Sequence, residues 1–221
     1  MAVELERVGI VFRNKTVFEN FTHRFEAGCH LIEGVNGVGK STLLGAIAGH
    51  VKYSGRIVIG GHDLTASPVK ARQCLVYLPD NPTFYPFLTG REFVEFVVRA
   101  HGRALILEQK NFDFLACRLR VKDHLDTRFK DASLGTRRKF FLLAAFVLSP
   151  GVLVLDEPFN GLDAATVIEV LEMLSDAATS AVVLVTCHQP LMVGSAVTMR
   201  WTLQRSPHSV LSPSGVAHVI A

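Results

Sequence analysis

Cysteine is scarce in this 221-residue chain, which carries four: Cys29, Cys74, Cys117 and Cys187. They lie far apart and no two form a C-x-x-C pair, so neither a zinc site nor a dithiol redox motif is indicated. Long apolar runs are lacking as well. The longest strongly apolar stretch, Phe140 to Leu148, is about half of what spans a bilayer. The expectation is a chain that does not itself cross a membrane. No signal-peptide pattern is read, and the simple reading is a reduced, cytosolic protein. The charge has no strong sign: the formal net charge is +3 and it is spread along the chain, too little to demand a nucleic-acid partner. Internal repeats and low-complexity linkers are missing too. What remains is a chain with 49% hydrophobic residues, which argues against disorder. Its length suffices to bury a full core in one domain, or in a domain with a subdomain.

The most informative segment present is Gly34-Val35-Asn36-Gly37-Val38-Gly39-Lys40-Ser41-Thr42. It fits G-x4-G-K-[S/T], a loop that wraps nucleoside-triphosphate phosphates. Glycines let the backbone come close enough for successive N–H groups to point at phosphate oxygens. Lys40 can reach the β- and γ-phosphates, and the Ser41 hydroxyl can ligate Mg2+. A helix starting near Lys40 adds its positive dipole end. The context agrees: His30 to Glu33 reads as a strand entering the loop, and Leu43, Leu44, Ala46, Ile47 and Ala48 give the following helix an apolar face.

Val8 to Phe12 and Thr22 to Phe25 have strand-like spacing and are joined by a polar turn at 13–15. Ser54 to Ile59 and Leu75 to Leu78 read as further strands. From about residue 80 the pattern becomes helical. Thr89-Gly90-Arg91-Glu92 is a T-x-x-E capping box. Phe93, Phe96, Val97 and Ala100 follow at helical spacing, and helical patterns continue through 105–109, 111–119 and 137–148. Val152 to Leu155 is fully apolar, as in a buried parallel sheet. A helix over 164–177, a buried strand over 181–186 and a more exposed strand over 199–203 complete the series; the last dozen residues read as a loosely held tail. Alternation of β and α around a phosphate loop predicts an α/β, doubly wound P-loop NTPase core, mixed or parallel, with an amino-terminal antiparallel part. The predicted organisation is one domain over 1–221, its core formed by 1–79 and 146–221 and its helical insertion by 80–145.

Asp156 and Glu157 end the 152–155 strand, where such sheets place their active groups. The aspartate can hold the Mg2+ shell opposite Ser41, and the glutamate can polarise a water for attack on the γ-phosphate. Val152 to Pro158, followed by Asn160-Gly161-Leu162-Asp163, resembles the Walker B motif and D-loop of ATP-binding-cassette (ABC) ATPases. Ala132-Ser133-Leu134-Gly135-Thr136-Arg137-Arg138 is similar to that family's signature, and Val185 to Gln189 resembles its switch-histidine strand. Tyr77-Leu78-Pro79-Asp80 occupies the Q-loop position, and Phe12 stands where the family places an aromatic on adenine. The order matches over essentially the whole chain.

The resemblance implies an ATP- and Mg2+-dependent hydrolase subunit. Asn36, Gly37, Val38, Gly39, Lys40, Ser41, Thr42 and Phe12 would bind the nucleotide; Ser41, Asp156 and Asp80 would serve the metal; Glu157, His188 and Lys40 would be catalytic. Ser133, Gly135 and Thr136 would act in trans on a second nucleotide-binding subunit, identical or paralogous, with Asp163 in the D-loop. A separate membrane permease would be driven, and no nucleic acid bound. The chain would then sit in the cytoplasm, peripherally on the inner membrane face. Leu134, Thr136 and Asp80 depart from the family's commonest residues, variations that resemble exporter cassettes of the ABC-2 kind. Asp80 could bind Mg2+ more strongly than an amide but would repel the γ-phosphate at short range. Arg137, Arg138 and Lys139 read equally as a solvated cationic face or as cations awaiting a phosphate or an acidic partner. Phe84, Tyr85 and Phe87 read as packing residues or as a site for the permease's coupling helix. A weakly hydrolysing switch of the same fold and a soluble, non-transport ABC ATPase stay as alternatives.

Overall fold

The computed structural model describes residues 1–12, 15–104, 109–187, 196–205 and 209–216. Two sheets organise it. The first is antiparallel and built from β1 (Val3–Phe12), β2 (Lys15–Phe25), β4 (Ser54–Ile59) and the short β5 (His62–Asp63), in the order β2-β1-β4-β5. In β1, Val3 and Leu5 point into the core, and so do Val8 and Ile10. The two pairs differ in phase, because the pairing with β2 slips between Leu5 and Val8 at Arg7, whose φ is 49°. This bulge returns the apolar set to the buried face.

The second sheet has six strands in the order β10-β9-β3-β8-β7-β6. Its strands are β3 (Gly28–Glu33), β6 (Leu75–Leu78), β7 (Val152–Leu155), β8 (Val182–Thr186), β9 (Met199–Arg205) and β10 (Ser209–Val216). The first five run parallel and β10 pairs antiparallel to β9. Alternate residues of the central strands serve two cores. Val152, Val154, Val182 and Leu184 face helix α1 (Lys40–Ile47) and the antiparallel sheet. Leu153, Leu155, Val183 and Val185 face the helices α3 (Gly90–Ala100), α4 (Gln109–Arg118), α5 (Leu134–Leu148) and α6 (Ala164–Ala178). Burial on both faces is why these strands read as continuous apolar runs.

Several expectations change here. The tail reading fails over 210–216: those residues belong to strand β10, in register with β9 from Ser209 opposite Arg205 to Val216 opposite Met199. Its serines and proline hid an edge strand whose outer ladder needs no partner. Helix α2 (Pro68–Gln73) and β5 carried too few residues to give a periodic signal. Helix α5 starts at Leu134 rather than Arg137, because Ser133 caps it. The capping box is present as read: Thr89 Oγ1 accepts from the Glu92 amide at 3.2 Å, and Glu92 Oε2 accepts from the Thr89 amide at 2.8 Å. Of the predicted 105–109 helical stretch, residues 105–108 lie outside the described residues and Gln109 begins α4.

A histidine pair sits between the sheets. His30 donates from Nε2 to the Glu26 carbonyl at 2.8 Å and accepts from Trp201 Nε1 at 3.1 Å through Nδ1. His23 packs edge-on against Phe25 and Trp201, with ring centroids 4.4 and 4.6 Å away. Burial, then the neighbouring His30, pull the His23 pKa from 6.5 down to about 4. Burial also lowers His30, against its bond to Glu26. A depressed folded-state pKa means the unfolded chain takes up the proton first. The neutral rings therefore favour the fold above about pH 6.5, and that contribution is lost as pH falls towards 4. The melting temperature is expected to fall across this window, and His23→Phe to flatten the slope. A slope unchanged by the substitution would remove His23 as its source.

Candidate active site

The parallel strands bring their carboxyl ends to one edge of the sheet, and the predicted residues collect there. Strand β3 runs into the 34–39 loop and α1 begins at Lys40. Gly39 stands at the N-cap with φ 118°, and a Cβ there would lie 2.7 Å from Val17 Cγ1. Gly37 has φ 76° and would meet nothing within 4 Å. It presents bare main chain to open space. Helix α1 has no side-chain cap and no acid in its first turn. Its leading N–H groups are thus left for an anion.

Lys40 is 9% exposed, and its ammonium donates to the Gly34 carbonyl at 2.7 Å and to Val35 at 3.5 Å. A buried cation satisfied only by carbonyls of its own loop fits a site made for an anion. The cleft beside it is about 400 Å3, lined by Phe12, Lys15, Val17, Asn36, Gly37, Gly39, Lys40, Ser41, Thr42, Asp80, Asp156 and Glu157. Val38 is different: its side chain is buried in the core, which leaves only its main chain to the loop. Phe12, at the end of β1, is 47% exposed at the cleft's rim. Lys15 and Val17, which the sequence reading missed, come from β2.

Asp156 and Glu157 follow β7 and are both buried. Thr186, at the end of neighbouring β8, ties them together. Its hydroxyl donates to Asp156 Oδ1 at 2.6 Å and accepts from the Glu157 amide at 3.0 Å. Glu157 itself has φ 50°, a left-handed conformation that costs a non-glycine residue on the order of 1 kcal/mol or more and recurs at functional sites. Asp80 follows β6. Its carboxylate accepts from Asn160 Nδ2 at 2.9 Å and from Asn81 Nδ2 at 3.1 Å. Among the described residues no three His, Cys, Asp or Glu side chains form a metal cage. The oxygen donors Ser41 and Asp156, with Asp80 nearby, suit Mg2+, an ion held by one or two carboxylates together with phosphate oxygens and water.

Ser133, Gly135 and Thr136 do not line this cleft. Ser133 is the N-cap of α5: its Oγ accepts from the Thr136 amide at 3.1 Å and shares a hydrogen bond with the Thr136 hydroxyl at 2.9 Å. Thr136 thus takes a capping role that a sequence pattern does not show. A Cβ at Gly135 would sit 2.5 Å from the Gly161 carbonyl oxygen, so the signature turn rests on the D-loop. Asp163 caps α6 through the Thr166 amide at 2.9 Å and receives Lys139 at 2.9 Å. Lys139 first, then the Thr166 amide, hold its carboxyl well below the usual range. The three cations of α5 are not simply solvated: each makes contacts within the chain, although Arg137 Nε is buried without a hydrogen-bond partner. Arg137 lies 4.6 Å over the Phe84 ring and donates to the Lys130 carbonyl at 3.1 Å. Arg138 is buried against residues 79–80, and Lys139 holds Asp163. Phe84 also stacks on Phe129 at 5.6 Å, whereas Tyr85 and Phe87 are 44% and 66% exposed. His188 lies outside the described residues.

The family model described as ABC transporter matches residues 7–160. The chain belongs to the ABC transporter family. Among its relatives is the ABC transporter ATP-binding protein YdbJ of Bacillus subtilis (strain 168), 34% identical over 133 residues, 60% of this chain and 42% of YdbJ. Another is the lipopolysaccharide export system ATP-binding protein LptB of Acidithiobacillus ferridurans, 31% identical over 159 residues, 70% of this chain and 66% of LptB. The chain therefore spans less than two thirds of either relative. A solved structure of an ATP-binding subunit of an ABC transporter superposes with a TM-score of 0.89 at 24% identity, covering 97% of this chain and 90% of that one. That likeness fixes the fold as the P-loop NTPase fold of ABC ATPases. Proteins of this family bind ATP.

Proposed function

We propose that this chain is the ATP-hydrolysing subunit of an ABC transporter, closing with a second nucleotide-binding subunit to drive a separate membrane permease. One observation carries the reading. The phosphate loop, Lys40, Asp156 and Glu157 share a cleft, while Ser133 and Gly135 present a second helix N-terminus that belongs to no part of it. A head-to-tail pair would place that turn over the other subunit's γ-phosphate.

In this mechanism the loop amides and Lys40 bind the β- and γ-phosphates. Phe12 stacks on adenine, with Asn36 and Thr42 beside the phosphates. Ser41 and Asp156 would hold Mg2+, with Asp80 nearby. The ion, when bound, neutralises charge developing on the transferred group. Glu157 accepts the proton of the attacking water as its oxygen bonds to the γ-phosphorus and the bond to ADP breaks. Thr186 fixes the loop on which Glu157 stands. His188 donates to the γ-phosphate.

The permease contact is read at Tyr85, Phe87 and Phe96, exposed rings of which Tyr85 lies 6.0 Å from Phe87 and 5.8 Å from Phe96 between centroids. No helix among the described residues is long and apolar enough to cross a membrane; the family resemblance supports a position on the inner membrane face beside a separate permease. The departures at Leu134, Thr136 and Asp80, with the similarity to LptB, favour export. The mutual bond of Ser133 and Thr136 favours a second reading, a switch that closes but turns over slowly.

Size-exclusion chromatography tests the pairing. Saturating ATP is expected to shift the Glu157→Gln variant from monomer to dimer, and Ser133→Arg added to it to abolish the shift while ATP still binds. A dimer indifferent to Ser133→Arg would contradict the in-trans role. A steady-state ATPase assay separates transporter from switch.

A further inference from the structure

Arg138 is the fifth residue of α5, one turn in from its amino terminus. It is only 5% exposed. Its guanidinium reaches out of α5 and grips two successive carbonyls beyond β6, Pro79 at 3.2 Å and Asp80 at 2.5 Å. The same nitrogen that serves the Asp80 carbonyl lies 3.7 Å from Asp80 Oδ1. That oxygen also accepts from Asn160, in the turn after Glu157. One cation of the signature helix is therefore locked into the acidic side of the nucleotide cleft of its own chain.

The charge count there makes this placement informative. Asp80, Asp156 and Glu157 all line the cleft. A triphosphate entering opposite three carboxylates meets like charge at short range. Burial draws the Arg138 pKa down, and Asp80, Asp156 and Glu157 draw it back up; those three acids are the charges it faces. An arginine stays protonated throughout. Lys40 and Lys15, the cleft's other cations, stand on the phosphate-loop side and cannot substitute for a charge at the end of β6.

We propose that Arg138 is a positioning residue of the nucleotide site: it pins the main chain at 79–80 and neutralises Asp80, so that an aspartate stands beside the phosphates without repelling them. The inference rests on the cleft binding ATP. An arginine that merely braced two carbonyls would be indifferent to the side chain at position 80. A charge partner would not be.

Affinity for a fluorescent ATP analogue, measured in EDTA so that no metal intervenes, separates the two. Arg138→Gln is expected to weaken binding about tenfold, the scale of one uncompensated charge near the site. Adding Asp80→Asn removes the carboxylate left unbalanced and is expected to restore affinity to within about twofold of native, while Arg138→Lys, which keeps the charge, stays within about threefold. Asp80→Asn alone leaves Arg138 as a surplus cation beside the cleft and is expected to tighten binding. This arm holds even should Arg138→Gln not fold. A double variant no tighter than Arg138→Gln, or an Asp80→Asn variant that binds more weakly than native, overturns the inference while the ATP site stands. A native chain that binds no nucleotide, with Mg2+ or without, overturns the reading of the cleft and this inference with it.

Discussion

Glu157→Gln is expected to cut steady-state ATP turnover by roughly 10²–10⁴-fold, the range of a positioned general base, and to leave ATP affinity within about threefold. Glutamine has the same shape and can still orient a water, but it cannot take the proton. The surroundings predispose the substitution to be clean. The left-handed backbone at residue 157, φ 50°, is held by the amide bond to Thr186 Oγ1 at 3.0 Å, and neither depends on the side-chain carboxylate. Asp156, the proposed metal ligand, keeps its own bond to Thr186. Pre-steady-state ATP binding and phosphate release on the same preparation check both halves. Turnover within tenfold of native would remove Glu157 as the base.

Lys40→Ala is expected to act on the other quantity. Its ammonium is buried and bonded to the Gly34 and Val35 carbonyls. When a triphosphate enters, it exchanges these neutral acceptors for anionic phosphate oxygens, which adds the attraction of opposite charges to each bond. Loss of about 3 kcal/mol, roughly a hundredfold in the ATP dissociation constant, is the expected scale for a buried hydrogen-bonded charge pair. Stability of the nucleotide-free chain should change by about 1 kcal/mol or less, because only two bonds to carbonyls at the cleft are lost. The contrast between a large binding loss and a small shift in melting temperature is the signature to measure. A variant that binds ATP normally would remove Lys40 from the phosphate site.

These expectations rest on features that differ in how readable they are from sequence. The phosphate loop is legible because every part of it is local: a strand, a turn of glycines and a helix start lie in one continuous segment. The acids after β7 are legible for the same reason. Thr186 is not. It reaches Asp156 only because β8 pairs parallel beside β7, and strand order is a property of the folded sheet. The partners of Arg138 were equally hidden, since Pro79 and Asp80 are far from it in sequence and meet it only where β6 ends against α5. The sequence therefore left the cations of α5 open between a solvated face and an external partner, while each makes contacts within the chain. Strand β10 escaped for a different reason: an edge strand exposed on one side tolerates serine and proline, which blur the period-two pattern. Val38, read with the loop, turned its side chain into the core, because in a phosphate loop the main chain carries the contact and the side chains are free to pack.

Calorimetric titration of the purified chain with ATP and Mg2+ tests most directly whether the carboxyl edge of this sheet is a triphosphate site. Saturable binding at one site per chain, abolished or weakened about a hundredfold by Lys40→Ala, is the expected result. No heat and no saturation in the native protein, or equal binding by native and Lys40→Ala, would contradict the account.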